Sequence, residues 1–344
     1  MGNAMKNIHG GDIYNNKVNM DYSVNINPLG MPDRVKRAMH DAVEHCDRYP
    51  DINCDRLRYA VAKDRAEEVL FGNGASELFM AVVHAIKPRQ AVIPIPSFYG
   101  YEYAVDAVDC KKIYCDWKKD GLDEQELIQA LTGDIDLLFL ANPNNPTGQT
   151  LEKETIGKIL NHCRDKNIYV VMDECFIDFC EDAWSAVGMT EQYENLIVVR
   201  AFTKLYAIPG VRLGYLICGS PVVRETISKH LPEWNISGIA QAAGVACTQE
   251  KAYVAETRDY VTEQRRKLMA GLTAYGFRVY SSRANFILFY TEVPLYDLLL
   301  ERGILIRDCS NYRGLTSGYY RVAVKTEEEN EKLLKAIGAC IEKD

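Results

Sequence analysis

Residues 168–174 read Ile168-Tyr169-Val170-Val171-Met172-Asp173-Glu174, an apolar run that ends in two acids. A short run of this kind, rich in β-branched residues, fits a strand buried on both faces, as in a parallel sheet. Similar runs lie at 91–95, 136–141, 196–199 and 213–218, with helical patterns around 75–86, 101–108, 123–131 and 151–165. Strands alternating with helices predict βαβ units, hence an α/β architecture built on a largely parallel sheet.

Farther from that stretch the texture changes. From about residue 251 a long charged helical pattern (253–275) leads to strands at 277–280 and 285–290. A helix at 294–302, strands at 304–306 and 319–324, and a closing helix from 327 complete the chain. That is α+β texture, and it predicts a smaller C-terminal domain over 251–344 beside a large domain over 51–250. The first fifty residues are expected to return and pack on the small domain, because a helix at 32–46 has little else to bury against. With 344 residues, 47% apolar and 26% charged, the chain is ordinary globular material with ample length for a core.

Charge and cysteines narrow the function classes. Forty Lys+Arg against 48 Asp+Glu leave −8, so nucleic acid and anionic lipid are not attracted by overall charge, although a local basic pocket stays open. No run approaches the ~20 apolar residues of a membrane span, and the opening lacks the pattern of a signal peptide. Eleven cysteines occur without a C-x-x-C pair or a Cys/His zinc spacing. A reduced, cytoplasmic setting is expected, with no structural metal.

Three segments carry chemistry. In Arg200-Ala201-Phe202-Thr203-Lys204, followed eight residues later by Arg212, the lysine sits among apolar neighbours. Such surroundings favour the neutral amine that forms imines; taken alone, the lysine also reads as a surface residue with a buried stem. Asp173 ends a buried strand, where open α/β sheets bind ligands. A carboxylate there needs a cation, and a protonated pyridine nitrogen would be one, while a helix N-cap or a metal ligand are the other readings. Asn142-Pro143-Asn144-Asn145-Pro146-Thr147-Gly148 forms a rigid turn from which Asn145 can donate a hydrogen bond, or else a plain loop.

In this order, Asn-Pro-Thr-Gly, Asp, Thr-Lys and Gly-Val-Arg-Leu-Gly, the chain resembles the fold-type I, aspartate-aminotransferase-like family of pyridoxal 5′-phosphate (PLP) enzymes over nearly its whole length. The resemblance implies a large domain with a mixed, mostly parallel sheet and a smaller α+β domain. It makes Lys204 the Schiff-base lysine, Asp173 the partner of the pyridinium nitrogen, and Asn145 a donor to the phenolic oxygen. Thr203, Arg212 and the helix opening Gly74-Ala75-Ser76 would hold the phosphate, and Phe98 would stack on the ring. Tyr49 would reach the phosphate from a second subunit, which implies a homodimer with shared active sites. One departure is Ala201, three residues before the lysine, where the family usually has Ser or Thr. Losing that neutral hydrogen bond costs roughly 1 kcal/mol.

Within the family, two subgroups fit: histidinol-phosphate aminotransferase and the L-threonine-O-3-phosphate decarboxylase of cobalamin biosynthesis. His9-Gly10-Gly11, the stretch 24–32 around Asn27, the stretch 306–312, and Phe176 resemble the second. Phe176 stands where most such transaminases carry a tyrosine. Physically, Arg321 in a C-terminal strand can take an α-carboxylate bidentately. Arg307, His9 and the amides of Gly10 and Gly11 can form a second anion site for a substrate phosphate. The expected reaction is decarboxylation of threonine phosphate, serine phosphate being a possible relative, with transamination as the alternative. The outcome depends on which α-carbon bond lies perpendicular to the cofactor ring, a torsion that no sequence reports. A catalytically silent binding protein of this fold would lack the lysine or the aspartate, and both are present.

Overall fold

The computed structural model describes residues 9–118, 121–182 and 184–341. Among the described residues the strands are β1 (Met20–Asp21), β2 (Val69–Gly72), β3 (Gln90–Ile95), β4 (Lys111–Lys118), β5 (Gly121–Leu122), β6 (Leu137–Ala141) and β7 (Tyr169–Asp173). They continue with β8 (Leu196–Ala201), β9 (Gly214–Cys218), β10 (Arg278–Val279), β11 (Phe286–Tyr290), β12 (Ile304–Leu305), β13 (Arg307–Asp308) and β14 (Tyr319–Ala323). The main sheet runs β2-β9-β8-β7-β6-β3-β4-β5. The β8-β7-β6-β3-β4 stretch is parallel, and β2, β9 and β5 join antiparallel.

Side-chain alternation along these strands feeds two layers. Phe139, Val171, Ile197 and Leu216 pack under the helices Ala75–Ile86 and Gly100–Asp106. Leu138, Leu140, Val170 and Met172 pack on the other face, against the helix Lys153–Asp165. Burial on both faces is why the central strands read as continuous apolar runs. Beside this layer, β10-β11-β14-β13 form an antiparallel sheet whose core includes the helices Lys251–Ala274 and Glu327–Ile341. No helix among the described residues is long and apolar enough to cross a membrane.

The expected packing of residues 1–50 on the small domain needs correction. A short strand within these residues, β1, does pair in parallel with β12. The helix packs elsewhere: Asp33–Val43 lies on the helix Gly238–Cys247, and Val35 shares a cluster with Leu57, Phe71, Leu213, Ala240 and Ala243. The glycines and alanines of residues 238–247 leave a shallow surface that a second helix can approach closely. Their small size also blurs the apolar period, so the sequence reading missed that helix, as it missed β2 and β4. The single strand expected at 304–306 divides in two: β12 pairs with β1, and β13 with β14. The parts of the expected terminal domains at 1–8 and 342–344 lie outside the described residues.

Candidate active site

Register brings the three chemical segments together. Ala141 is opposite Asp173 on β6–β7, and Asp173 is opposite Val199 on β7–β8. The turn 142–148, Asp173 and the loop carrying Lys204 therefore all leave the same edge of the sheet. The turn is held internally: the Asn144 side-chain amide donates to the Pro96 carbonyl and Thr147 Oγ1, both at 3.0 Å, which leaves Asn145 projecting outward. Lys204 is fixed through its backbone, its carbonyl accepting from the Asn27 N–H at 3.1 Å.

A cavity of about 290 Å³ opens at this edge. It brings together His9, Gly10, Gly74, Ala75, Ser76, Phe98, Asn145, Asp173, Phe176, Thr203, Lys204, Arg212, Arg307 and Arg321. Gly11 lines an adjoining hollow of about 210 Å³ with His9, Gly10 and Arg307. Its amide donates to Ser23 Oγ at 2.7 Å, so this expected anion donor is already engaged. Two residues lie elsewhere. The Asn27 side chain is buried and donates to the Leu205 carbonyl (2.7 Å) and Thr257 Oγ1 (2.8 Å), bracing the lysine loop instead of facing the cavity. Tyr49 is 83% exposed on the outer surface, 5.1 Å from the Trp234 ring.

Asp173 is the buried acid, 9% exposed. One oxygen accepts from the Tyr101 hydroxyl at 2.5 Å and the other from the Cys175 N–H at 2.9 Å. Both donors are neutral, and no ion pair joins Asp173 to a lysine or arginine among the described residues. Burial therefore pushes its pKa above the ordinary carboxylate value, partly offset by these hydrogen bonds. Glu174 next door differs: it takes Ser185 Oγ (2.5 Å) and the Ala186 N–H (2.6 Å) and faces Arg200 at 3.9 Å. Lys204 lies in the same cavity; burial, then Arg321 and Arg212, lower its pKa to about 8.

At the far side, Gly74 precedes the helix Ala75–Ile86 at φ +82°, and a Cβ there would lie 2.6 Å from Arg212 Nη2. Only glycine lets this guanidinium reach the helix N-terminus, where unpaired N–H groups attract anions. Phe98 packs edge-on against Tyr101, with centroids 5.7 Å apart. The Phe176 ring sits 5.1 Å from Phe286 and offers the site no hydroxyl. On the C-terminal side Arg321 donates to Asn145 Oδ1 and to the Ser23 carbonyl, the latter at 2.8 Å. Burial, then Arg307, Arg321 and Lys204, hold the His9 pKa below its usual value.

Sequence reasoning missed Tyr101, Cys175 and Tyr312. Tyr101 had a signal, since it stands three residues after Phe98 at the start of a helix and so one turn away. The other two depend on tertiary approach. The donor set fits PLP. A buried acid lacking a cation suits a protonated ring nitrogen, a partly neutral lysine suits an aldehyde, and Arg212 over a helix N-terminus suits a phosphate.

The chain is similar to several known proteins. Threonine-phosphate decarboxylase of Salmonella typhimurium is 37% identical over 327 residues, 92% of this chain and 90% of that protein. A histidinol-phosphate aminotransferase of Methanothermobacter thermautotrophicus is 30% identical over 92% of this chain and 88% of its own length. The crystal structure of the histidinol-phosphate aminotransferase from Clostridium acetobutylicum superposes with a TM-score of 0.87 at 31% identity, covering 93% of this chain and 98% of that one. A family model for aminotransferase class I and II matches residues 17–337. With Lys204, Asp173, Arg212 and a helix N-terminus gathered at one sheet edge, the chain belongs to the aminotransferase class I and II family and has the fold-type I architecture of PLP-dependent enzymes.

Proposed function

We propose that the chain is a PLP-dependent carboxy-lyase that converts L-threonine O-3-phosphate to 1-aminopropan-2-yl phosphate and CO₂, as in cobalamin biosynthesis. The observation that carries this reading is the pair of arginines, Arg307 and Arg321, each 5% exposed, lining the cavity that holds Lys204 and Asp173. Two buried guanidinium groups suit a substrate with two anions, a carboxylate and a phosphate. The 37% identity to a threonine-phosphate decarboxylase adds support.

Lys204 would hold the cofactor, with Asp173 at its ring nitrogen, Phe98 on its face and Asn145 at its phenolic oxygen. Thr203, Arg212 and the amides of Ala75 and Ser76 would hold its phosphate. Bound there, PLP supplies an electron sink for the pair released when an α-carbon bond breaks. Asp173 keeps a positive charge at the ring position favourable. Lys204 Nζ, with a pKa of about 8, can hold a proton near neutral pH and deliver it to the α-carbon once CO₂ has left. His9, its pKa lowered by burial and then by Arg307, Arg321 and Lys204, would take up a proton more readily once a phosphate dianion enters beside it.

The test is incubation of the PLP-loaded protein with threonine phosphate and serine phosphate, assaying CO₂ and oxo-acid consumption separately. CO₂ release without any oxo acid is expected. Turnover that requires 2-oxoglutarate and releases no CO₂ would make the chain a transaminase, the alternative favoured by the 30% identity to a histidinol-phosphate aminotransferase. A homodimer is part of the proposal: Tyr49 and Trp234 form an exposed aromatic surface beside a groove of about 970 Å³, and Tyr49 would serve the partner's site. Eleven free thiols suit a reducing compartment such as the cytoplasm.

A further inference from the structure

The two arginines are not independent. Arg307 on β13 and Arg321 on β14 are direct cross-strand partners in an antiparallel pair. Directly opposed residues bring their Cβ atoms to about 5 Å, and like charges in that relation repel. Something must hold the two guanidinium groups at a fixed separation, and one side chain touches both. Tyr312 lies in the connection between these strands, with its N–H on the Cys309 carbonyl and its carbonyl accepting from the Leu315 N–H, each at 3.0 Å. Its ring faces the Arg307 guanidinium at 5.2 Å, and its hydroxyl accepts from Arg321 Nη1 at 3.3 Å.

These contacts differ in kind. A ring face attracts a cation without bonding to its N–H groups, so Arg307 rests on Tyr312 while its Nη1 donates to the Asp308 carbonyl and its Nη2 to Asn311 Oδ1 at 2.7 Å. The hydroxyl oxygen shares Arg321 Nη1 with Asn145 Oδ1, while the Ser23 carbonyl takes Nη2. Arg321 Nε is buried without a hydrogen-bond partner among the described residues. The ring itself packs against the cluster of Tyr280, Leu288 and Cys309, so the spacer is anchored from behind.

We propose that Tyr312 is a positioning residue that sets the distance between the two anion-binding arginines and thereby selects substrates by the length between carboxylate and phosphate. This rests on the reading that the site takes a phosphorylated amino acid. The ring, together with the Asp308 carbonyl and Asn311 Oδ1, fixes where the Arg307 guanidinium lies. A ligand one methylene too long must then give up one of its two charge-assisted contacts.

The experiment measures calorimetric dissociation constants of the PLP-loaded protein for two amino-free compounds, each carrying one carboxylate and one phosphate, which bind without turnover: 3-phosphooxypropanoate and the one-carbon-longer 4-phosphooxybutanoate. The original protein should prefer the shorter by about tenfold, the scale on which a pocket senses one methylene. Tyr312→Leu, which retains the apolar backing, should bring the ratio to within about twofold. Tyr312→Phe keeps the ring and should preserve the ratio while weakening both ligands by about tenfold, as expected for a lost hydrogen bond to a charged group. An unchanged ratio in Tyr312→Leu overturns the proposal, and so does a ratio lost already in Tyr312→Phe. Should Tyr312→Leu fail to fold, Tyr312→Met carries the same comparison. Failure of the proposed reaction is seen elsewhere, in the absence of CO₂ from threonine phosphate, and leaves these binding ratios to be read on their own.

Discussion

Asp173 and Lys204 each pay for burial in opposite ways, and both costs can be measured in protein stripped of cofactor. Asp173 has a raised pKa in the fold, so the folded state binds its proton more tightly than the unfolded chain does. Its ionisation therefore weakens the stripped protein as pH rises through the interval above the ordinary carboxylate value. Asp173→Asn should accordingly raise the melting temperature of the stripped protein at neutral pH, and lower the extra stabilisation gained on adding PLP. A melting temperature that falls in both states would remove the idea of an acid waiting for a cation. Lys204, lowered to about 8, is mostly protonated at pH 7 and mostly neutral at pH 9. The rate at which stripped protein takes up PLP, followed by its yellow absorbance, should rise with pH around 8 and level off above it. In Lys204→Ala no covalent adduct should survive borohydride reduction.

At the scale of elements, the site depends on where strands end and helices begin. The Ala141–Asp173–Val199 register aligns three strand ends, and the helix Ala75–Ile86 presents its amides beside them. Gly74 makes the junction possible, with a φ of +82° and Arg212 Nη2 only 2.6 Å from where a Cβ would stand. Gly74→Ala combines backbone strain with displacement of that guanidinium, a cost of about 1–3 kcal/mol. We expect roughly tenfold or greater loss of PLP affinity in a fluorescence titration, since each 1.4 kcal/mol is a factor of ten. Turnover at saturating PLP should change much less. A titration indistinguishable from that of the original protein would show that Arg212 and this helix end do not carry the phosphate.

For the whole molecule, the question is how subunits share a site. In the proposed homodimer each cavity uses its own Lys204 and the partner's Tyr49. Inactive Lys204→Ala chains mixed with impaired Tyr49→Ala chains, then unfolded and refolded together, should regain activity, because one cavity of each mixed dimer is complete. Random pairing gives roughly a quarter of the full activity. No recovery, in a mixture that sedimentation proves to be dimeric, would mean that Tyr49 serves no second site. The outward placement of Tyr49, 83% exposed beside Trp234, agrees with such a role.

Local chemistry makes much of this protein legible in its residues alone. Apolar runs at 91–95, 136–141, 168–172 and 196–199 mark the buried strands because burial on both faces leaves no polar alternation to hide them. Lys204, Asp173 and the 142–148 turn stand out because each sits next to such a run. Packing between distant segments leaves no comparable trace. The helix Asp33–Val43 settles on Gly238–Cys247, whose small residues carry a weak period, and Asn27 turns its amide to Leu205 and Thr257 instead of to the cavity. Tyr101 on Asp173, and Tyr312 between Arg307 and Arg321, are likewise decided by tertiary approach. Residue type and neighbouring pattern determine which groups can do the chemistry; which of them meet is set by strand register and close packing, which join residues that lie up to three hundred positions apart in the chain.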